Sequence, residues 1–356
     1  RYLGRVAHAW PESIRAEWWR VGGRQYGVSS IRYQAAFTGY AAAVLGLRTP
    51  AYPERTAAIL RAMIERLLDR SAWCYVQGYW RDAPSYPDPC AFENIMYTGH
   101  LLQLVTLYEA LTGDTRYRTE GFDLRWNEAT VFHYDTLKLV EVTVRQMRQN
   151  PCGGVACEPG LIFFPCNNHP QIALMLLEGM GLGDWRSDRA KWEDWALSSY
   201  ATRLGGGAFK LLYHADTGAF VPRGHPGLDG WSLLWYAPWA RNPDTVRRIW
   251  AEAKTHLPTL APVAARGTAG DEAADTQATC CNPVASVPDS AIASFVAPAA
   301  RICGDDATAE RLEAWIDQRL RHEEDGALWW AAEPGWRIGV SANRIISLGL
   351  RHGSPL

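Results

Sequence analysis

The 356-residue sequence lacks the signals of several common protein classes. It contains no run of 18 apolar residues, so no membrane-spanning helix is predicted. Lys and Arg number 36 against 38 Asp and Glu, and the formal net charge of −2 argues against nucleic acid or an anionic membrane as main partner. The P-loop, His-Glu-x-x-His and Gly-x-Ser-x-Gly motifs are absent as well. These absences argue against the chemistries that depend on those motifs.

Eight cysteines are present, but none of them forms a Cys-x-x-Cys pair. Because that spacing is typical of zinc and redox sites, no metal site is predicted. A chain of this length does not need disulfides to hold a core together, and we interpret most of the cysteines as thiols of a reducing compartment. The expected location is therefore cytoplasmic. The sequence begins at Arg1, and we expect the natural N-terminus to be truncated.

Aromatic residues are abundant, with 17 Trp, 15 Tyr and 9 Phe. Most of these rings must lie in the core. Such a supply also suits a pocket for a large apolar ligand, or for a ligand that passes through a cation.

Helical periodicity recurs along the chain with short breaks. Many helices of similar length with short links predict helical hairpins around one core, and we expect a single domain over residues 1–356. An Asp-Thr-Gly turn predicts a β-hairpin at 207–222, and a second is predicted at 326–333. The stretch 258–288, rich in Ala, Thr and Pro, is predicted to be a long loop. The clearest helices are predicted at 29–47, 53–72, 92–112, 134–149, 168–180, 187–204, 243–256, 288–303 and 307–322.

The predicted helix at 92–112 carries the first group of chemical interest. Glu93, Tyr97 and His100 are spaced by four and three residues, so on a helix they share one face. The alternative interpretation is a buried polar network. Gly99 costs about 1 kcal/mol relative to Ala inside a helix, which suggests that another backbone or a ligand comes close there.

The stretch "VACEPGLIFFPCN" (155–167) carries the second group. Cys157 and Cys166 are nine residues apart, which places them on opposite faces of a straight strand or helix. They can face one cavity only if the chain reverses between them. Pro159-Gly160 supplies a turn signal, and Pro165 is expected to block the continuation of regular structure. Two independent core cysteines remain the alternative.

Four blocks resemble the linalool dehydratase-isomerase family. They are "RYQAAFTGYA" (32–41), "ENIMYTGHLLQLVTLYEALTGDTRY" (93–117), "NPCGGVACEPGLIFFPCN" (150–167) and "GAFKLLYHADTGA" (207–219). The similarity covers most of the chain and fades after about residue 260. It implies an all-α fold, an (α/α)6 barrel of helical hairpins with one or two short β-hairpins, assembled into a ring-shaped homo-oligomer. It also implies an apolar, isoprenoid substrate and no metal or organic cofactor.

The resemblance places the family's active-site histidine on His100 and its two active-site cysteines on Cys157 and Cys166. Tyr97 and Glu158 complete the candidate catalytic residues. The candidate substrate-binding residues, all aromatic or acidic, are Trp80, Glu93, Phe163, Tyr213, Asp229, Trp231 and Trp235. The implied reaction is a dehydration, isomerisation or cyclisation through an allylic carbocation. One cysteine would protonate the leaving oxygen, and the other, or His100, would accept the carbon-bound proton.

The sequence also departs from the family pattern. The family's N-terminal aspartate and tyrosine have no counterpart in residues 1–26, and a further cavity tyrosine falls near Gly227. The family's disulfide has only one candidate half, Cys74, which we predict to be free. These changes favour a substrate different from linalool. Two alternatives stay open: a carbohydrate-active (α/α)-barrel hydrolase or epimerase using Glu93 and Glu158, and a non-catalytic binder of apolar ligands.

Overall fold

A computed structural model of the protein describes residues 1–8, 30–201, 207–221, 224–260, 289–331 and 337–350. These residues form thirteen α-helices. In chain order they are α1 (Tyr2–His8), α2 (Ile31–Arg48), α3 (Pro53–Leu68), α4 (Ile95–Thr112), α5 (Arg116–Thr119), α6 (Thr136–Gln149), α7 (Phe164–Gly179), α8 (Arg186–Ser199), α9 (Pro226–Tyr236), α10 (Pro243–Ala253), α11 (Asp289–Ile302), α12 (Asp306–Leu320) and α13 (Arg337–Leu350).

Six of these helices form a closed inner ring. Helices α2, α4, α7, α9, α11 and α13 each pack against the next, and α13 packs back against α2. Five further helices pack outside the ring, each against the ring helix that comes before it in the chain: α3, α6, α8, α10 and α12. This arrangement of inner and outer helices is an (α/α)6 barrel, as predicted.

Burial explains which helices lie inside. Every residue of α2 from Arg32 to Val44 is buried, because the inner helix has neighbours on all sides. Outer helix α3 instead buries one stripe, Ile59, Leu60, Met63, Ile64 and Leu67, and turns its charged side chains to solvent. Within the described ranges, no helix has both the length and the apolar character needed to cross a bilayer.

The strands of the described residues are short and form three small antiparallel sheets. The hairpin predicted at 207–222 is confirmed as β4 (Leu212–His214) and β5 (Ala219–Val221), and β3 (Leu161–Phe163) joins it as a third strand. The second predicted hairpin is also present, but it begins earlier than predicted, with β6 (Arg321–Glu324) pairing β7 (Ala327–Trp330). The hairpin of β1 (Phe122–Arg125) and β2 (Val131–Tyr134) was not predicted.

Proline accounts for two differences from the predicted helices. Helix α7 begins at Phe164, not at residue 168, and Pro165 lies in its first turn. The first residues of a helix have N–H groups without partners inside the helix, so a proline there removes no helical hydrogen bond. Pro165 therefore lies at the start of a helix, and the prediction that it blocks regular structure was wrong. Pro226 likewise lies in the first turn of α9, a helix absent from the prediction, as is α13. Residues 261–288 of the predicted loop, with Cys280 and Cys281, lie outside the described residues, as do residues 9–29.

Candidate active site

A tight turn reverses the chain between the two cysteines of the 155–167 stretch. The Cys157 N–H donates to the Leu161 carbonyl at 2.7 Å, and the Leu161 N–H donates to the Glu158 carbonyl at 2.8 Å. Gly160 in this turn has a φ of +75°, a conformation that glycine adopts without strain. The chain then runs through β3 into the first turn of α7, which carries Cys166. Both thiols are buried, and Cys166 lies close enough to Cys157 to raise the pKa of its thiol.

Asn167 holds this loop closed from inside the barrel. Its side-chain amide donates to the carbonyls of Val155 and Phe163 at 2.9 and 3.0 Å, and its oxygen accepts from the Val155 N–H at 2.8 Å. A buried polar side chain with every partner satisfied fixes a loop firmly. Asn167 was not among the predicted site residues, although it directly follows Cys166 in the sequence.

Tyr33, on α2, brings a third polar group to the thiols. Its hydroxyl lies 3.6 Å from Cys166 Sγ, within hydrogen-bonding distance for sulfur. Burial raises the pKa of Tyr33 well above its ordinary value, and the neighbouring Cys166 raises it further. Burial likewise raises the pKa of Cys157, and its hydrogen bond to Cys166 adds to this shift. Both groups are therefore neutral hydrogen-bond donors near neutral pH.

His100 lies on α4 with no exposed surface. Its Nδ1 is 2.8 Å from the hydroxyl oxygen of Tyr40, and its ring edge meets the ring of Tyr33 at 5.3 Å between centroids. Its Nε2 has no hydrogen-bond partner among the described residues. Burial lowers the pKa of His100 well below its ordinary value, with a further contribution from the charge of Arg32. The imidazole is therefore neutral, with one nitrogen open to a ligand.

A second histidine, His169, packs against His100 with ring centroids 3.7 Å apart and planes tilted by 37°. Its Nδ1 lies 2.6 Å from Gln103 Oε1, and its Nε2 accepts from the Trp231 indole N–H at 3.2 Å. His169 was not predicted as a site residue. The signal that could have found it is its position three residues after Cys166, which places both on one face of α7.

Aromatic rings pack around the two imidazoles and around Tyr33, whose hydroxyl reaches Cys166. Trp231 stacks on Phe295 with centroids 5.2 Å apart and planes 3° from parallel, and Phe37 meets the Trp231 face at 5.4 Å. Trp235 packs on Tyr40 at 4.6 Å, and Phe163 meets Trp231 at 6.0 Å. Three predicted substrate-binding residues, Phe163, Trp231 and Trp235, thus lie in this cluster.

A family model described as linalool dehydratase/isomerase matches residues 32–336, which include the thiol pair, both histidines and most of the aromatic cluster. The chain belongs to the linalool dehydratase/isomerase family. At the level of the family, this identifies an enzyme of the lyase and isomerase class.

The solved structures similar to this family member include a carbohydrate enzyme of very different sequence. One is an inactive variant of the alpha-1,6-mannanase GH76A of Salegentibacter sp. HEL1_6 in complex with alpha-1,6-mannotriose. It is 10% identical, with 90% of this chain and 88% of that chain covered and a TM-score of 0.51. A second inactive variant of it, in complex with alpha-1,6-mannotetrose, is 11% identical, with 98% of each chain covered and a TM-score of 0.50. At such identities the likeness shows the barrel fold alone.

Glu158 lies beside the thiols of this linalool dehydratase/isomerase family member, half-buried in the turn. Burial raises the pKa of its carboxyl group, and the nearby Arg32 guanidinium opposes that shift. Arg32 is itself buried, between the ring faces of Tyr33 and Tyr75 at 4.7 and 4.4 Å. Arg32, which interacts with Glu158, is the one basic side chain in the described part of the chain whose charge lowers the pKa of His100.

Four other predicted residues lie apart from the thiols. The Tyr97 hydroxyl donates to the Leu67 carbonyl at 2.8 Å, and the Trp80 indole donates to the Glu93 carbonyl at 2.9 Å. Tyr213 lines a separate cavity of about 330 Å³ together with Glu93. The Asp229 carboxylate accepts two backbone N–H groups.

The predicted helical face of Glu93, Tyr97 and His100 needs correction. Glu93 lies before α4, which begins at Ile95, and it has a φ of +37°. Its carboxylate accepts from the Gly160 N–H at 2.8 Å, so it braces the turn between the cysteines from outside. Its carboxylate thus does not share a helical face with the imidazole.

Cys74 is a free thiol, as predicted, and so are the other cysteines that the structure describes. Within the same residues, no group of three or more His, Cys, Asp and Glu side chains is arranged to hold a metal ion.

Proposed function

We propose that this chain is a cofactor-independent lyase or isomerase that acts on an apolar allylic alcohol or olefin, of terpenoid type, through Cys157 and Cys166. The observation that carries the proposal is the proximity of two buried thiols within an aromatic cluster, beside a histidine whose Nε2 has no partner among the described residues. As the family resemblance implies, the protein would work as a homo-oligomer.

The reaction needs an acid and a base at one place. Hydroxide is a poor leaving group, so the substrate hydroxyl must gain a proton before the C–O bond breaks. Water then leaves with the bonding electrons, and positive charge spreads over the allyl group. Removal of a proton from a neighbouring carbon forms the new double bond, whereas return of water to the other end of the allyl group gives the isomer. Positioned acid and base groups contribute about 10²–10⁴-fold each.

Cys166 is the better placed of the two thiols to give up its proton. The resulting thiolate would accept hydrogen bonds from the Cys157 S–H and from the Tyr33 O–H, whose oxygen lies 3.6 Å away. A hydrogen bond to a charged group contributes about 1.5–3 kcal/mol. The same thiolate can then take the carbon-bound proton, which restores the thiol and balances the reaction without any external proton.

The aromatic cluster suits the cationic intermediate. Ring faces stabilise a cation by about 0.5–2 kcal/mol each, and Trp has the most favourable face. Trp231, Trp235 and Phe37 line the same buried cluster as the thiols. Their bulk also keeps water from capturing the cation.

The carbohydrate alternative has weaker support. A glycosidase needs two carboxylates that flank one bond. The Glu93 carboxylate is bonded to the Gly160 N–H in the separate cavity, whereas Glu158 lies next to Arg32. The thiol pair would also have no role.

The test is turnover of terpene alcohols of increasing length by purified protein in the presence of a metal chelator, with Cys157→Ser and Cys166→Ser as variants. We expect each variant to lose about 10²–10⁴-fold in kcat/KM. Cys303→Ser is the matched control, because Cys303 lies after α11, away from the cluster, and this variant should behave like the parent. A folded Cys157→Ser or Cys166→Ser protein with parental turnover would contradict the proposal. If the parent binds a terpene alcohol without converting it, and the cysteine variants bind it equally well, the protein is a non-catalytic binder.

A further inference from the structure

The hydrogen-bond partners of His169 fix the position of its proton. An indole N–H can only donate, so the Trp231 bond at 3.2 Å requires a lone pair on His169 Nε2. Burial keeps this imidazole neutral by lowering its pKa. The single ring proton must therefore be on Nδ1, where it is donated to Gln103 Oε1 at 2.6 Å. Both nitrogens of His169 are thus occupied.

The proton of His100 follows from counting buried donors and acceptors. If Tyr40 donates its O–H to His100 Nδ1, the ring proton is on Nε2 and one group, that N–H, lacks a partner. If His100 Nδ1–H donates to the Tyr40 oxygen instead, two groups lack partners among the described residues: the Tyr40 O–H and the Nε2 lone pair. Each unsatisfied buried group costs about 1–3 kcal/mol. The arrangement with Nε2–H is therefore favoured.

A positive charge on His100 is opposed from two sides. Burial, the larger effect, lowers the pKa of this imidazole, and the like charge of the buried Arg32 guanidinium lowers it further. His100 therefore faces the cluster with a neutral N–H and no lone pair. Such a group can donate a hydrogen bond but cannot take a proton from carbon.

We infer that His100 is a neutral hydrogen-bond donor to the leaving oxygen of the substrate, and that Tyr40 is the positioning residue that keeps it in this form. The inference rests on the proposed dehydration or isomerisation and assigns the histidine a role opposite to that of a base. The Nε2 proton stays on the ring while the C–O bond breaks. Cys166 supplies the proton that leaves with water and recovers one from carbon, so the thiol pair alone carries the proton transfer.

Nitrogen NMR of the substrate-free protein tests the protonation states without any turnover. The protein is labelled with nitrogen-15 in its nine histidines, and His100→Gln, His169→Gln and His133→Gln assign the signals, the last as an exposed reference. We expect opposite tautomers in this pair near neutral pH: Nε2–H for His100 and Nδ1–H for His169. Tyr40→Phe should shift the Nδ1 signal of His100, because its donor is lost, and leave His169 unchanged. The inference would be overturned if His100 were cationic or carried its proton on Nδ1. It would also be overturned if Tyr40→Phe left the Nδ1 signal of His100 unchanged.

Kinetics of two matched substitutions test the role in the reaction. A glutamine side chain can donate a hydrogen bond but cannot act as a base, whereas leucine can do neither. We expect His100→Leu to lose about 10²–10³-fold in kcat, the usual effect of removing one donor to a developing charge. His100→Gln should recover at least about tenfold of that loss. Equal loss in both folded variants would identify His100 as the base and overturn the inference.

Failure of the inference differs from failure of the proposed function. If the wild-type protein turns over no terpene alcohol, the proposed function fails while the tautomers remain measurable. If the cysteine variants lose activity but His100→Gln and His100→Leu are equally inactive, the function stands and only the histidine assignment fails.

Discussion

Asp229 on inner helix α9 is 2% exposed, and its carboxylate accepts the backbone N–H groups of Ala208 and Phe209 at 2.6 and 3.2 Å. Gly207 allows this approach, because a Cβ there would lie 2.8 Å from the Asp229 carboxylate oxygen. Burial raises the pKa of Asp229 to about 7, although both backbone donors oppose the shift. These contacts indicate that Asp229 holds the segment that leads into β4. Its role in substrate binding stays a prediction.

Asp229→Asn should change how stability depends on pH. In the unfolded chain this carboxyl has a pKa of about 3.9. Between pH of about 4 and 7 the folded protein thus binds more protons there, so its free energy of unfolding falls as pH rises. The variant lacks this contribution. The difference in free energy of unfolding between parent and variant should therefore change by on the order of 4 kcal/mol over that interval. Urea unfolding at several pH values measures it, and parallel curves for both proteins would contradict the assignment.

At the scale of elements, the inner helices approach one another closely where they carry glycine. A Cβ on Gly99 of α4 would lie 2.9 Å from Pro170 Cδ of α7. A Cβ on Gly230 of α9 would lie 2.9 Å from the backbone of Phe295 on α11. The close approach suggested by Gly99 in the sequence is therefore that of a neighbouring helix. It brings α4 and α7 near enough for His100 and His169, each next to this contact in sequence, to pack against each other.

Gly99→Ala should therefore destabilise the barrel. The added methyl would have to displace Pro170, a rigid residue within α7, and overpacking of this kind costs about 1–3 kcal/mol. Gly179→Ala is the control at the end of α7, where a Cβ would meet nothing within 4 Å among the described residues. It should be neutral or stabilise by up to about 1 kcal/mol, because alanine favours helix. Calorimetric melting compares the two, and equal melting temperatures would contradict the packing argument.

Sequence patterns located the ends of most helices to within a few residues, because outer helices such as α3 show one apolar stripe and inner helices such as α2 show a mostly apolar run. The start of α7 and the whole of α9 escaped it, since proline in a first turn looks the same in sequence as a proline that ends a helix. Strand β1 alternates buried and exposed residues over only four positions, and no Asp-Thr-Gly turn like the one between β4 and β5 marks its hairpin with β2.

The site was predictable only in part, for a related reason. The turn signal at Pro159-Gly160 allowed the two cysteines to converge, and their contact depends on that turn. The contact of His100 with His169 joins α4 to α7, the bond from Trp231 comes from α9, and Tyr33 and Tyr40 come from α2. Contacts among four separate helices leave no mark on local periodicity, so only the spacing of His169 from Cys166 pointed to any of these three residues.

At the scale of the whole molecule, the barrel depends on closing a ring of six helices. The last inner helix, α13, lies between α11 and α2. Glu313, on outer helix α12 with no exposed surface, joins this region by bonding Arg301 of α11 at 2.9 Å and Arg344 of α13 at 3.5 Å. It also accepts from the Ser347 hydroxyl at 2.6 Å. One buried carboxylate therefore connects three helices where the ring closes.

Glu313→Gln should weaken that closure by about 3–5 kcal/mol, because it leaves two buried guanidinium groups without their shared charge. Glu310→Gln is a matched control: Glu310 reaches the same Arg301 at 3.8 Å, but its side chain is 67% exposed. Exposed pairs contribute about 0–1 kcal/mol, so this variant should unfold near the parental urea concentration. Urea midpoints followed by tryptophan fluorescence distinguish the two. If both variants lose the same stability, total charge around Arg301 matters rather than the buried bridge, and ring closure must depend on apolar packing between α13 and its neighbours.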